Sequence, residues 1–348
     1  MREVPAQDFV VGKVDIVPRW PYLAERVNSV PISEEEPMKA RFLLVAVLFV
    51  FSTIAAYSSV LLPLVPSDAY LIVNFDFAAI VAQPEIKALV DTQIQTNSNE
   101  LVDFYKRAGI EPARDIRNVM LFLDSNERPC ILVNGTFSAK KISELIQTDK
   151  DLSAGFEITT IDGLQAVKNK LNASGNMIFI NETTMAFGTE EVLKQVSQLS
   201  SGKAKNITAN KAFAHLMERV DTDSRLWGAV VTTPNWQSRV EIPVAGLQNM
   251  KTAFFSVDYD KEFTMDFTGL VEKKTELPEF ADAMLNLLDA FRGWTASVPE
   301  MTELLKSAKV EDNQENMARI FIAVPAEQFK TTMAKLSESA NKKAPEKK

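Results

Sequence analysis

The chain has 348 residues, 46% of them hydrophobic, and a formal net charge of -8, an ordinary globular composition with room for a membrane segment and one or two domains. A pI near 5.1 argues against a broad basic surface, though not against a local basic patch, so nucleic acid is not expected among its partners. The lone cysteine, Cys130, excludes an intrachain disulfide and a thiolate zinc cluster, and its setting in the apolar run PCILVNGTF reads as a buried, inert thiol.

Residues 1–41 mix charges, prolines and the stretch SEEEP without a sustained period, which reads as a mostly disordered cytoplasmic tail. Phe42 to Val65 follows as 24 residues without a charge, long enough as a helix to cross a bilayer core of about 30 Å. Arg26, Lys39 and Arg41 precede this run, and the first basic residue after it is Lys87. That asymmetry keeps the amino terminus in the cytoplasm and exports the rest to the far side of the membrane. The competing reading takes Met38 as the start, MKARFLLVAVLFVFSTIAA as a signal peptide and the small residues near Ala56 as its cleavage point, giving a secreted protein. The run is longer than a typical signal core, which favours a retained anchor over 42–65.

The exported part alternates short strands with helices. AYLIVNF (69–75) reads as a strand, followed by helical periodicity from Phe77 to Ala108 and a closing Gly109. NVMLFLD and CILVNGTF form a hairpin across SNERP, after which Ser138 caps a helix through AKKISELIQ. FEITTI, LQAVKN, NMIFIN and TMAFG are the next strands, with turns at Asp162-Gly163 and Asn181-Glu182. Thr189 caps a helix whose first turn holds Glu190 and Glu191, and a short helix over Lys211 to Val220 precedes the strand RLWGAVVTT. The segment 234–249 reads as a seam or surface loop. KTAFFSVD and EFTMDFTGLV form a second hairpin, two helices fill 276–292 and 299–306, MARIFIAV is the last strand, and Pro325 opens the final helix. The Lys-rich residues 338–348 read as a disordered tail.

Both MLFLDSNERPCILVNGTFSAKK (120–141) and AFFSVDYDKEFTMDFTGLVEKK (253–274) are hairpins followed by a helix, and Phe122 matches Phe255 without gaps. The expected fold class is therefore α+β: antiparallel sheets with helices packed on one face, preferably as two copies of one unit over 67–233 and 250–337, plus the amino-terminal transmembrane helix. A single larger sheet fits the same pattern.

No catalytic, cofactor-binding or metal-binding residue emerges, and no cofactor is expected. The single histidine, His215, excludes zinc sites built on paired histidines. Nucleophile-elbow and phosphate-cradle motifs are absent. SAKK (138–141) and SSGK (200–203) match the Ser-x-x-Lys spacing of acyl-transfer enzymes, but Ser138 is better explained as a helix cap and SSGK as a loop. Asp258, Asp260 and Glu262 alternate at a hairpin tip, where aspartate is favoured for turn geometry alone. Sequons at Asn134, Asn172, Asn181 and Asn206 occur at about the frequency composition dictates. Phe254, Phe255, Phe263 and Phe267 crowd one hairpin, as a sheet core does by default and an apolar ligand groove does in the sharper reading.

In LLPLVPSDAYLIVNFDFAAI an apolar run passes through Pro-x-Asp-Ala into a strand and then a helix opened by aspartate. This junction resembles that of bacterial single-pass, membrane-anchored extracytoplasmic proteins of unknown function, most clearly over 60–137. The resemblance implies a cell-envelope protein with a duplicated α+β exported region, and it transfers no catalytic residue. The expected function is a non-enzymatic, membrane-tethered envelope protein whose exported domain binds another envelope protein or scaffolds an assembly. The alternatives are an envelope carrier or sensor of an apolar small molecule and, third, a hydrolase.

Overall fold

The computed structural model describes residues 60–84, 86–87, 107–170, 175–233, 246–259, 261–295, 299–312 and 316–342. Residues 1–41, residues 42–59 of the apolar run, the middle of the helical stretch before Gly109, Asn172, residues 234–245 of the seam, Asp260 and residues 343–348 lie outside the described residues.

The described strands form one antiparallel sheet. They are β1 (Leu71–Asp76), β2 (Ile116–Leu123), β3 (Pro129–Gly135), β4 (Phe156–Ile161), β5 (Leu164–Asn169), β6 (Asn176–Asn181), β7 (Thr184–Gly188), β8 (Leu226–Val231), β9 (Met250–Tyr259), β10 (Glu262–Val271), β11 (Lys309–Asp312) and β12 (Met317–Pro325). Their order across the sheet is β11, β12, β10, β9, β8, β1, β2, β3, β7, β6, β5, β4. The protein is thus α+β, with β1 and β8 paired between a wing of four strands and a wing of six. Read outward from that pair, each wing runs through a hairpin (β2–β3 or β9–β10) and ends in strands that follow a pair of helices in the chain.

The helices are α1 (Phe77–Val81), α2 (Pro112–Asp115), α3 (Ala139–Thr148), α4 (Lys150–Gly155), α5 (Glu190–Ser200), α6 (Lys211–Met217), α7 (Leu277–Thr295), α8 (Pro299–Leu305) and α9 (Ala326–Lys342). Local chemistry fixes their starts. The carboxylate of Asp76 accepts from the Ala79 amide, Ser138 Oγ from the Lys141 amide and Thr189 Oγ1 from the Val192 amide, each satisfying a donor that the first turn leaves open. Gly109, at φ +69°, supplies the left-handed step after the last turn before α2. Asp162 and Gly163, at φ +48° and +85°, make the tight β4–β5 turn, whose backbone twist suits a two-residue hairpin.

Because side chains alternate across a strand, three clusters assign the two faces. On the first face Val133, Val167, Met177 and Phe179 pack against Ile142 and Ile146 of α3. Continuing along that face, Leu226, Ala253, Val257, Phe263, Ile320 and Ile322 pack against α7, α8 and α9 through residues such as Phe280, Leu304 and Phe329. On the second face Ile72, Phe122, Leu132, Ile178, Ala186 and Trp227 pack against Val192, Leu193 and Val196 of α5 and Phe213 and Leu216 of α6. The expectation of helices on one face is therefore corrected: the wing of β1–β7 is covered on both. Its strands carry apolar residues in consecutive rather than alternating positions, as in Met177-Ile178-Phe179, and so need cover on each side.

Two further differences concern the ends of elements. Lys309–Asp312, a segment that the sequence pattern assigns to no element, is a strand, and its charged, four-residue edge suits the outside of a sheet. Leu61 and Val65, both 0% exposed, sit in the second-face core, so the carboxy-terminal end of the apolar run belongs to the folded domain. Leu62–Leu64 between them is a single 3-10 turn.

Candidate functional site

The residues weighed for catalysis are dispersed and engaged in local structure. Ser138 is a helix cap, and Ser200 Oγ donates to the Ser197 carbonyl at the end of α5. His215 is exposed on α6, with Nδ1 3.3 Å from Glu218 Oε2. Cys130 is fully buried on β3, and burial pushes its thiol up, away from the reactive thiolate. Among the described residues no group of three metal-ligating side chains converges. The hairpin phenylalanines divide: Phe263 stacks on Phe329 of α9 with centroids 4.4 Å apart, which fills the space between sheet and helix there, while Phe254 faces the other way. The recess beside this stack, lined by Gln83, Ile86, Tyr259, Phe329, Lys330 and Met333, has room for about one water molecule.

Two surfaces stand out instead. The first is the second face of β9, β10 and β12. Among the described residues no helix packs along it as α5 does in the other wing; one end is covered, where Phe254 and Leu270 join the second-face core, Thr268 is buried and Arg219, just past α6, donates from Nη1 to Met317 Sδ at 2.9 Å. Across it Arg319 Nη2 pairs with Asp266 Oδ2 at 2.7 Å, and the guanidinium lies 4.3 Å from the centroid of the Phe321 ring. Asp266 Oδ1 also accepts from Thr268 Oγ1 at 3.0 Å. At its edge Arg225, 4% exposed, donates from Nη1 to Asp258 Oδ1 at 2.7 Å and to the Tyr259 carbonyl. Burial raises the nearby Asp76 carboxyl, opposed by the Ala79 amide and the Arg225 charge. Arginine and aromatic side chains are enriched in protein-contact surfaces, and both lie half-buried on this face at Arg319 and Phe321. The sequence shows these residues but not the missing cover, which depends on where α9 docks.

The second surface surrounds the point where the chain enters the domain. Val60 is 55% exposed immediately before the buried Leu61. Residues 205–210 are fastened beside it: Ser67 N donates to the Lys205 carbonyl at 3.1 Å, Ile207 N to the Val65 carbonyl at 2.8 Å, and Asn210 Nδ2 to the Ser67 carbonyl at 2.9 Å. The absence of acidic residues from 192 to 217 is the sequence signal that marks this surface.

No family model and no curated protein matches the chain. Among solved structures it is similar to one titled "Structure of crystal form I of TP0453", at 12% identity and a TM-score of 0.40, over 79% of this chain and 96% of that chain. A likeness at this level carries no argument about function.

Proposed function

We propose that this is a non-enzymatic, membrane-tethered cell-envelope protein whose exported domain binds another envelope protein through the open face of β9, β10 and β12. The observation that carries the tether is the uncharged stretch 42–59, which ends immediately before the domain, whose core begins at the buried Leu61 and Val65. Residues 42–59 then form the anchor, about 27 Å long as a helix and near the lower limit for crossing a bilayer. The amino terminus is cytoplasmic, in keeping with the basic residues before the run.

The partner surface is supported by internal comparison. The strand order and the placement of both helix pairs on the first face support two copies of one α+β unit, with β8 opening the second copy. In the first copy α5 covers the second face; in the second copy α9 lies on the first face, through Phe329 and Met333. The uncovered face therefore suits an amphipathic helix from the partner, seated as α5 is in the first copy.

Mass spectrometry of the intact chain from fractionated cells tests the tether. A membrane-bound chain retaining residues 42–59 supports it, and a soluble chain beginning near Tyr57 overturns it in favour of a cleaved signal.

A further inference from the structure

We propose that the loop Ser201–Lys211, together with Val60 and Pro63, is a headgroup-binding foot that holds the domain against anionic phospholipid. This inference rests on the tether. It goes further in assigning a lipid-contact site and an orientation to the domain.

Geometry comes first. The chain leaves the proposed anchor at residue 59 and is buried by Leu61, so the entry region lies at the membrane interface, with only a short 3-10 turn before the hydrogen bonds to 205–210. The pairing of Pro66 with Asn206 and the bonds from Ser67, Ile207 and Asn210 fix the loop to that entry point.

Charge comes second. Lys203, Lys205 and Lys211 are exposed and make no ion pair among the described residues. No carboxylate occurs between Val192 and Met217, although the chain as a whole carries a net charge of -8. The carboxylate closest in the chain to the entry point, Asp68, is exposed and accepts from Ser125 Oγ at 2.8 Å; Glu218 stands at the far end of α6 with His215. Apolar surface is the third element: Val60 and Pro63 are exposed between the run and the loop.

Lysines around an exposed apolar residue at the interface match a surface that places side-chain carbons among acyl chains and ammonium groups among phosphates. A membrane, rather than a soluble acidic partner, is favoured because the same few residues carry both the anchor exit and the lysines. The attraction is effective within about 10 Å of the surface at moderate salt, which the short connection provides.

The test uses the full chain reconstituted in vesicles of neutral phosphatidylcholine, or of phosphatidylcholine with phosphatidylglycerol, and carrying Ala204→Cys with a spin label. Ala204 is exposed and Cys130 is fully buried, so the label reports on the loop. The expected result is that collision with an aqueous relaxation agent falls about twofold in anionic vesicles, and that the fall vanishes at 1 M salt. Lys203→Gln/Lys205→Gln/Lys211→Gln should abolish the fall while leaving the melting temperature unchanged, and the corresponding triple arginine variant should restore it. A chain that stays in both vesicle types with equal label accessibility overturns the foot and leaves the tether standing. A chain that is extracted from both by alkaline carbonate overturns the tether and the foot with it.

Discussion

The amide of Ser67 donates to the carbonyl of Lys205 at 3.1 Å, fastening residues 138 positions apart in the chain. One side of this bond follows the apolar run, and the other belongs to a loop whose sequence gives no hint of that neighbour. The bond makes the end of the run part of the domain, with consequences for stability as well as location.

Leu61 is 0% exposed among second-face core residues, so Leu61→Ala should cost about 2–5 kcal/mol of domain stability, read as a lower denaturation midpoint. A chain beginning at Tyr57 retains Leu61 and Val65 and should melt as the full chain does, whereas one beginning at Pro66 should melt lower. Equal melting of the two truncated chains would show that the entry residues do not belong to the core.

Arg225 and Asp258 are unequal partners, with side chains 4% and 41% exposed. Removing the carboxylate leaves a buried cation with reduced compensation, while removing the guanidinium leaves a carboxylate that water reaches. Asp258→Ala should therefore destabilise by about 2–3 kcal/mol, and adding Arg225→Met should recover part of that loss in a double-mutant cycle read by urea unfolding. Strictly additive losses would remove the pairing from the stability account.

Asp76 carries a pH dependence of the less common sign. Burial raises its carboxyl above the ordinary value of 3.8, so ionising it in the fold costs stability. Stability from this group is fully present below the unfolded value and is lost as pH rises through the folded one. Asp76→Asn keeps a cap acceptor for the Ala79 amide without the charge. Its melting temperature relative to the parent should be higher at pH 7 than at pH 3, whereas Asp76→Ala should lose about 1 kcal/mol of capping at pH 7. A relative melting temperature independent of pH would contradict the sign.

The open face yields a prediction about contact. A photo-crosslinking residue at Ser256 or Thr264, on that face in β9 and β10, should capture one discrete envelope protein in cells, and the same residue at exposed Lys140 on α3 should not. Loss of the adduct in Phe321→Ala, with the domain still folded, would tie the partner to the face. Equal capture from both sites would assign the adducts to crowding.

Most of the elements were legible locally. FEITTI, LQAVKN, NMIFIN and TMAFG coincide with β4 to β7, and Ser138, Thr189 and Gly109 stand at helix ends, because caps and turns are set by chemistry within a few residues. Edge strand β11 escaped notice because four residues, three of them charged, carry too little apolar period to register. The ungapped match of Phe122 with Phe255 also misled: Phe122 packs on the second face and Phe255 on the first. A one-residue difference in register reverses the face of a strand, so identity along the sequence is a poor guide to equivalence across a sheet.

The sequence by itself determined the α+β class, the hairpins, the caps and the uncharged run, since each rests on interactions or periodicities within a short stretch of chain. Only the tertiary structure decided that the strands share one sheet joined through β1 and β8, that the run ends inside the core, that a lysine loop closes beside it, and that most of one sheet face has no helix over it. Those outcomes depend on pairings between residues far apart in the chain, whose register is chosen by which apolar faces can be buried together.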